Sequence, residues 1–190
     1  NPKWIVGYSD ITVLHSHLNN LGIASLHATM PINFENNSIE SLQSLKNSLL
    51  GKSNRIECKS HVFNRLGQVD AEIVGGNLSN SDIDTEGKIL FIEDLDEYLY
   101  HIDRMMMNLK RNGKLAKLKG LIVGGMKDMN DNEIPFGKSV EEIILEHTKK
   151  YDYPICFGFA AGHINDNRCI KLGVSSVLEI NENGVSLSQE

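Results

Sequence analysis

The chain has 190 residues, of which 41% are hydrophobic and 23% charged, with a formal net charge of −6. This composition is typical of a globular protein. The net negative charge and the absence of a long Lys/Arg run argue against a nucleic-acid partner. No apolar run approaches the roughly 20 residues of a membrane-spanning helix. The three cysteines lack the spacing of metal ligands, so we expect buried free thiols.

The first stretch of the chain predicts a short strand, a tight turn and a helix. The apolar run 4–6 suits a strand buried on both faces. Apolar residues then recur at helical spacing, which predicts an amphipathic helix over 11–21 that ends at Gly22. Its apolar face is predicted to consist of Ile11, Leu14, Leu18 and Leu21. A strand buried on both faces needs neighbours that the first fifty residues do not supply, so we expect residues before Asn1 to belong to the protein.

The next segments predict a second strand, a helix and a hairpin. Residues 23–27 have the pattern of a short strand, and Ser38 is placed to cap a helix. The apolar face of that helix is predicted to be Ile39, Leu42, Leu45 and Leu49. Residues 51–55 are polar and are typical of a linker. Beyond them, the runs 56–63 and 68–74 are separated by four residues that favour a hairpin turn.

The rest of the chain alternates strands with helices. We expect strands at 88–92, 120–123 and 154–159, and a helix over 99–111. Ser139 and Glu142 have the spacing of a capping box, which predicts a helix that reaches about residue 150. Asn181-Glu182-Asn183-Gly184 predicts a hairpin turn between two late strands. We therefore predict an α/β protein in which residues 1–50 end one α/β domain, 51–55 link, and 56–190 form a second domain.

Ser9 lies at the predicted corner between strand and helix, where outward-pointing N–H groups favour negative charge. Such a corner suits a nucleophilic serine, because the helix end stabilises a developing oxyanion. The second glycine of the usual G-x-S-x-G pattern is absent, with Ile11 in its place. A helix cap by Ser9 or Asp10 explains the same residues and is the more common role at this place.

A serine nucleophile needs a base, and the base needs an orienting partner. His15 follows Ser9 by six positions and is expected to point away from the corner, whereas His27 precedes a loop and remains a candidate. His163 follows a predicted buried strand and a turn of small residues, where loops carry functional sites. Glu93 ends an apolar strand, where a buried carboxylate needs a partner such as an imidazole. Ser9, Glu93 and His163 are therefore a possible triad.

Several separate motifs occur along the chain in a fixed order. They are Gly7-Tyr8-Ser9-Asp10-Ile11-Thr12, Gly75-Gly76-Asn77-Leu78, Gly87-Lys88-Ile89-Leu90-Phe91-Ile92-Glu93-Asp94, Ile102-Asp103-Arg104-Met105 and Gly158-Phe159-Ala160-Ala161-Gly162-His163. Together they resemble the LD-carboxypeptidase family of serine peptidases, over essentially the whole chain.

The resemblance implies a fold, a reaction and a set of roles. It implies the end of a flavodoxin-like N-terminal α/β domain and a swivelling, β-barrel-like C-terminal domain. Ser9 would be the nucleophile, His163 the general base, Glu93 its orienting partner, and the backbone N–H of Asp10 half of the oxyanion hole. Substrate would be bound at Gly76 and Asn77.

The implied reaction removes the terminal D-alanine from muropeptide tetrapeptides, at an L,D-bond, during peptidoglycan recycling. The resemblance implies a cytoplasmic, commonly dimeric enzyme that needs no metal or organic cofactor. It also implies an upstream glycine-rich segment, which supplies the second oxyanion donor and is not in this chain, so we expect the chain alone to be inactive.

A second departure is the short, polar segment 80–85, where the family carries more apolar helical residues. Two alternatives to the recycling enzyme stay open. One is the microcin-immunity type of the same family, which cleaves a peptidyl-nucleotide antibiotic. The other is a non-catalytic binding or assembly module that kept the motifs.

Overall fold

The computed structural model describes residues 3–79 and 83–190 of the chain. The predicted short segment 80–85 falls partly on residues 80–82, which lie outside the described residues, as do residues 1 and 2. The architecture is mixed α/β, which confirms the predicted fold class. No helix within the described ranges combines the length and the apolar character that crossing a membrane requires.

Helices and strands alternate in an irregular order along the chain. The helices are α1 (Thr12–Asn20), α2 (Ile39–Leu49), α3 (Leu99–Arg111) and α4 (Val140–Thr148), with 3₁₀ turns at Ser9–Ile11 and Pro31–Asn36. The strands are β1 (Val6–Gly7), β2 (Ser25–His27), β3 (Asn54–Lys59), β4 (Gly67–Asn77), β5 (Ile89–Leu95), β6 (Gly120–Lys127), β7 (Ile155–Cys156), β8 (Ile170–Leu172), β9 (Ser175–Asn181) and β10 (Gly184–Gln189).

The strands form two sheets in the described part of the chain. The larger has seven strands in the order β3-β10-β9-β4-β5-β6-β7, and the smaller has the order β1-β2-β8. Pairing is antiparallel from β3 to β4 and parallel from β4 to β7. In the small sheet, β1 and β2 are parallel, whereas β8 runs antiparallel to β2. The carboxyl ends of β4, β5 and β6 therefore lie side by side at one edge.

The larger core lies between the parallel strands and the pair α3 and α4. Leu90, Leu121, Ile102 and Met106 are buried together there. A second core lies on the other face of the large sheet, around Phe91. Helix α3 has the predicted bounds, and α4 begins at the predicted capping box, in which Ser139 and Glu142 each bond the other's backbone N–H. Cys58, Cys156 and Cys169 are free thiols, as expected, although Cys58 is only half-buried.

Several predictions about the first fifty residues are wrong. Trp4 and Ile5 are each 40% exposed, so the run 4–6 is not a strand buried on both faces, and β1 is limited to Val6–Gly7. The predicted helix forms as α1, and Leu14 and Leu21 of its predicted apolar face are exposed. The residues of α1 that are buried are polar. They are Thr12, His15, Ser16 and Asn19.

Helix α2 shows the same reversal. Ser38 caps it as predicted, by accepting a hydrogen bond from the backbone N–H of Ser41. Of the predicted apolar face, Leu45 is buried, whereas Ile39 is 82% exposed and Leu49 is also exposed. Two buried serines of this helix donate to backbone carbonyls: Ser41 Oγ to Asn167 at 2.6 Å and Ser44 Oγ to Ser41 at 2.7 Å. The third, Ser48, accepts from the Asn54 side-chain amide at 2.7 Å.

The predicted hairpin of 56–63 with 68–74 is also wrong. Strands β3 and β4 are separated in the sheet by β10 and β9. The late hairpin is confirmed, because β9 and β10 pair directly across Asn181 and Gly184. The division of the chain at 51–55 stays a prediction. Strand β8, from the predicted second domain, pairs with β2 of the predicted first.

Candidate active site

Ser9 lies at a strained turn between β1 and α1. Its backbone has φ +64°, in the left-handed region that residues other than glycine rarely adopt. The side chain is half-buried at the start of the 3₁₀ turn, and Asp10 beside it is exposed. Neither the 3₁₀ turn nor α1 has a side-chain cap hydrogen bond, so the cap interpretation of Ser9 and Asp10 is wrong. Strain of this kind persists where the surrounding structure enforces it, often at functional sites.

His15 fixes the strand that leads into this turn. Its Nε2 donates to the carbonyl of Gly7 at 2.9 Å, and its Nδ1 accepts from the Ser25 hydroxyl at 2.9 Å. Burial lowers the pKa of His15 to about 4, so the ring is neutral at pH 7 and can hold both bonds. The prediction that His15 points away from the corner is therefore wrong, because its ring contacts the residue two positions before Ser9.

Glu93 and His163 meet at the carboxyl edge of the large sheet. Glu93 lies near the end of β5 and its side chain is fully buried. Its Oε2 accepts a hydrogen bond from Nδ1 of His163 at 2.5 Å and a second from the His163 backbone N–H at 3.2 Å. The His163 side chain is 11% exposed. The ring is therefore held from the Nδ1 side, and Nε2 is the nitrogen that remains to take up a proton.

Glu93 and His163 each shift the pKa of the other toward the charged form. Burial raises the pKa of Glu93, but the hydrogen bond from His163 and the proximity of His27 outweigh it and lower the pKa to about 2. Burial lowers the pKa of His163, but the hydrogen bond and the charge of Glu93 outweigh it and raise the pKa above 6.5. Glu93 is therefore ionised at pH 7, and His163 is a stronger base than a free imidazole.

Gly162 allows the two side chains to approach. It has φ +106°, and a Cβ at this position would lie 2.8 Å from Cβ and 2.9 Å from Oε2 of Glu93. A side chain there would push the carboxylate away from His163. The backbone N–H of Gly162 donates to Asn167 Oδ1 at 2.8 Å, which holds the loop in place.

Tyr8 connects the serine turn to the histidine. Its ring packs edge-on against the ring of His163, with centroids 4.8 Å apart. Ser9 is the next residue, so the turn and the Glu93–His163 pair belong to one site. Within residues 3–79 and 83–190, no hydrogen bond links the Ser9 hydroxyl to His163. The structure thus brings together two of the three predicted triad members by a direct bond and the third through its neighbour.

The Gly76 and Asn77 segment packs beneath the start of α1. Asn77 is the strand neighbour of Glu93, and its backbone N–H donates to Thr12 Oγ1 at 3.0 Å. The Asn77 side chain is engaged on both sides: Nδ2 donates to Asp94 Oδ1 at 3.0 Å, and Oδ1 accepts from the N–H and hydroxyl of Ser79. A Cβ on Gly76 would lie 2.5 Å from Thr12 Oγ1. These contacts position the helix that follows Ser9.

Two contributors to the site carried only a weak sequence signal. His27 ends β2 and places Nε2 4.0 Å from Oε1 of Glu93. Tyr8 belongs to the turn motif, but a tyrosine before a serine predicts nothing about a distant imidazole. A polar residue at a strand end is the one signal that pointed to His27. Among the described residues, no group of three or more His, Cys, Asp or Glu side chains is arranged to hold a metal ion.

Comparison with known protein families decides the relationship. The model of the LD-carboxypeptidase C-terminal domain matches residues 70–178, and the model of the N-terminal domain matches residues 1–28. The chain belongs to the LD-carboxypeptidase family. The matched segments include Ser9 and Glu93, together with His163.

Named relatives in this family match nearly all of the chain. A probable murein peptide carboxypeptidase from Bacillus subtilis is 30% identical over 96% of the chain and 61% of its own length. The murein tetrapeptide carboxypeptidase of Pseudomonas aeruginosa is 24% identical, over 95% of the chain and 64% of its own length. The chain thus spans about three fifths of the length of these relatives.

Solved structures share the fold of this chain. The crystal structure of muramoyltetrapeptide carboxypeptidase from Oxalobacter formigenes superposes with a TM-score of 0.88 at 24% identity, over 98% of the chain and 68% of that protein. The microcin C7 self-immunity protein MccF in its wild-type apo state superposes with a TM-score of 0.82 at 20% identity, over 100% of the chain and 68% of that protein.

Proposed function

We propose that this chain is the C-terminal part of a serine carboxypeptidase in which Ser9, His163 and Glu93 form the catalytic triad. The observation that carries the proposal is the 2.5 Å hydrogen bond between Glu93 and His163, two residues 70 positions apart in the chain. The strained backbone of Ser9 is typical of a nucleophile held at a strand-to-helix turn.

The geometry supports acyl transfer in two halves. Nε2 of His163 takes the proton of the Ser9 hydroxyl as Oγ attacks the scissile carbonyl, and Glu93 stabilises the imidazolium that forms. His163 then gives that proton to the amine of the leaving amino acid, and the acyl-enzyme remains. Water, deprotonated by His163, attacks the ester, and Ser9 leaves with its proton restored. The backbone N–H of Asp10, in the first turn after the serine, is the proposed oxyanion donor.

The substrate we propose is a muropeptide tetrapeptide, from which the enzyme removes the terminal D-alanine at the L,D-bond. The names of the relatives from Bacillus subtilis and Pseudomonas aeruginosa support a murein peptide. Gly76 and Asn77, which lie beside the start of α1, are the proposed substrate-binding segment. We further propose that the protein acts in the cytoplasm in peptidoglycan recycling, as a homodimer without a cofactor.

The proposed whole protein has an N-terminal part that packs on the exposed apolar face of α1. Val13, Leu14 and Leu21 are 49–65% exposed there, with Ile23 beside them. Covering such a face is stabilising, at about 25 cal/mol per Å² of apolar surface. The N-terminal part also supplies the second oxyanion donor, and losing one such donor costs about 10²–10³ in rate. We therefore expect the 190-residue chain alone to be inactive.

The experiment that tests the proposal uses a fluorophosphonate probe and the proposed whole protein, which we call the longer protein. We expect the probe to label Ser9, Ser9→Ala to abolish both labelling and D-alanine release, and the exposed control Ser60→Ala to leave both unchanged. D-alanine release by the 190-residue chain at near the longer protein's rate would contradict the proposed need for the N-terminal part. A longer protein that releases no amino acid and is not labelled would instead be a non-catalytic binding or assembly module.

A second candidate function is cleavage of a peptidyl-nucleotide antibiotic. The microcin C7 self-immunity protein MccF of Escherichia coli is 24% identical over 80% of the chain, and its solved structures share the fold. The same triad serves either substrate, so rates on a muropeptide tetrapeptide and on an aminoacyl sulfamoyl nucleoside decide between them. A preference for the nucleoside would overturn the muropeptide assignment and keep the triad.

A further inference from the structure

Glu93 uses only one of its two oxygens to hold His163. Oε2 accepts both bonds from His163, whereas Oε1 is buried and has no hydrogen-bond partner among the described residues. The group that faces Oε1 is Nε2 of His27, at 4.0 Å, and both side chains are 0% exposed. A buried carboxylate oxygen without a partner is destabilising, so this arrangement calls for an explanation.

His27 is also buried with polar atoms that lack hydrogen-bond partners. Within the described parts of the chain, neither of its ring nitrogens has a hydrogen-bond partner. Its ring packs edge-on against Phe91 at 4.8 Å, and the rings of Tyr8 and His15 lie 6.1 and 6.4 Å away. Glu93 is therefore the only carboxylate shown to face this imidazole in the described residues. Packing alone would favour an apolar side chain in such surroundings.

The His27–Glu93 contact joins the two sheets at the site. Strand β2 pairs with β1 so that His27 lies beside Gly7, two residues before Ser9. Glu93 belongs to β5 of the large sheet. The contact thus links the strand pair that leads to the nucleophile with the strand that carries the carboxylate, and it involves the carboxylate oxygen that His163 does not bond.

We propose that His27 is a positioning residue for the triad. Its ring attracts Oε1 of Glu93, which fixes the plane of the carboxylate so that Oε2 points at Nδ1 of His163. The same contact holds β1 and β2, and with them Ser9, at a fixed distance from the Glu93–His163 pair. This inference rests on the proposed function. The attraction favours the ionised carboxylate in the low-dielectric interior.

The test compares three substitutions at His27. His27→Gln keeps an N–H donor near the place of Nε2, whereas His27→Asn is too short to reach Oε1, and His27→Phe removes the donor and keeps a ring. The matched control is His147→Phe, because His147 is also buried and its Nε2 bonds the carboxylate of Asp103 at 2.8 Å, between α4 and α3.

In the longer protein we expect His27→Phe and His27→Asn to lower kcat about 10- to 100-fold with KM within twofold, because misplaced catalytic groups cost rate rather than binding. His27→Gln should recover most of that loss, and His147→Phe should lower thermal stability but not kcat. Equal losses in His27→Gln and His27→Phe, or kcat within twofold of the parent in folded His27→Phe and His27→Asn, would overturn the proposal.

A second measurement is independent of activity and uses the 190-residue chain. The ¹³C resonance of the Glu93 carboxyl and the ¹⁵N resonances of the His163 ring report the pair directly. We expect His27→Asn to raise the pKa of Glu93 and to shift His163 Nδ1–H, and His27→Gln to leave both near the parent values. Unchanged resonances in His27→Asn would contradict the positioning role even if the enzyme is active. The expected shifts, together with a longer protein that lacks peptidase activity, would support the positioning role of His27 and refute the proposed function.

Discussion

The first fifty residues and the remainder of the chain bury opposite kinds of surface. In residues 3–50, the buried residues of helices α1 and α2 are polar apart from Leu45, and apolar residues such as Leu14 and Ile39 lie at the surface. In residues 54–190, α3 and α4 bury Ile102, Met106 and Ile143 against the sheet. The second region thus has its own apolar core, whereas the first is organised by hydrogen bonds and presents an apolar face outward.

The proposed catalytic groups divide along the same boundary. Ser9 belongs to the first region, and Glu93 with His163 belongs to the second. The acid–base pair therefore depends on the better-packed region, and the position of the nucleophile depends on the less self-sufficient one. Four experiments test this contrast, from the largest expected effect to the smallest.

The largest effect is expected from Glu93→Gln in the longer protein. Replacing the carboxylate that orients a catalytic histidine lowers kcat by about 10⁴ in serine proteases. Because Glu93 raises the pKa of His163, the substitution should also move the acidic limb of the kcat/KM profile to lower pH. Asp103→Asn, which alters the matched Asp103–His147 pair, should leave both unchanged. An unshifted acidic limb in Glu93→Gln would contradict the assignment of His163 as the base.

The second effect concerns local opening of the 190-residue chain. We expect amides of α1 and α2 to exchange with solvent about a hundredfold faster than those of β5 and α3, because few buried apolar contacts hold the first region. Hydrogen exchange followed by mass spectrometry measures the ratio. Equal protection in the two regions would break the comparison, and a ratio that shrinks in the longer protein would sharpen it.

A matched pair of leucines gives the third effect. Leu115 is 0% exposed and Leu21 is 62% exposed. Leu115→Ala should lower the free energy of unfolding by about 2–5 kcal/mol through the cavity it leaves. Leu21→Ala should change it by less than about 0.5 kcal/mol in this chain. Urea unfolding of both variants tests the pair, and a large loss for Leu21→Ala would mean that α1 is already covered.

Asp94 gives the smallest effect, on the pH dependence of stability. Burial is the main cause that raises its pKa, from 3.8 to about 6. The folded state therefore binds more protons than the unfolded state between pH 4 and 6, so this residue's contribution falls as pH rises through that window. Asp94→Asn keeps an oxygen to accept from Asn77 and removes the ionisation. We expect it to flatten the loss of unfolding free energy between pH 4 and 6, and an unchanged slope would refute this.

Local signals in the sequence predicted the elements that are stabilised locally. The Ser139–Glu142 capping box, the bounds of α3 and the Asn181–Gly184 turn each depend on residues within a few positions of one another. The pairing of Glu93 with His163 also emerged, because each follows an apolar strand and each needs a partner in the interior. Their catalytic roles stay a prediction.

The wrong predictions from the sequence have one cause. Which residues are buried, and which strands pair, depends on residues that are distant in the chain. Periodicity located α1 and α2, but it assumed that the apolar face is the covered one. His15 is buried because the Gly7 carbonyl and the Ser25 hydroxyl satisfy its ring. In the same way, four turn-forming residues favoured a hairpin after β3, whereas β4 pairs with β9 and β5 from later in the chain.

The left-handed backbone of Ser9 also limits how this site can evolve. Threonine carries the same hydroxyl, but its branched Cβ is a severe outlier at φ +64°, so a serine-to-threonine exchange would distort the corner. Glycine would relax the corner and stabilise the chain while removing the attacking oxygen. Selection for thermal stability alone would therefore favour glycine at this position. Retention of serine among descendants would indicate selection for catalytic activity over stability.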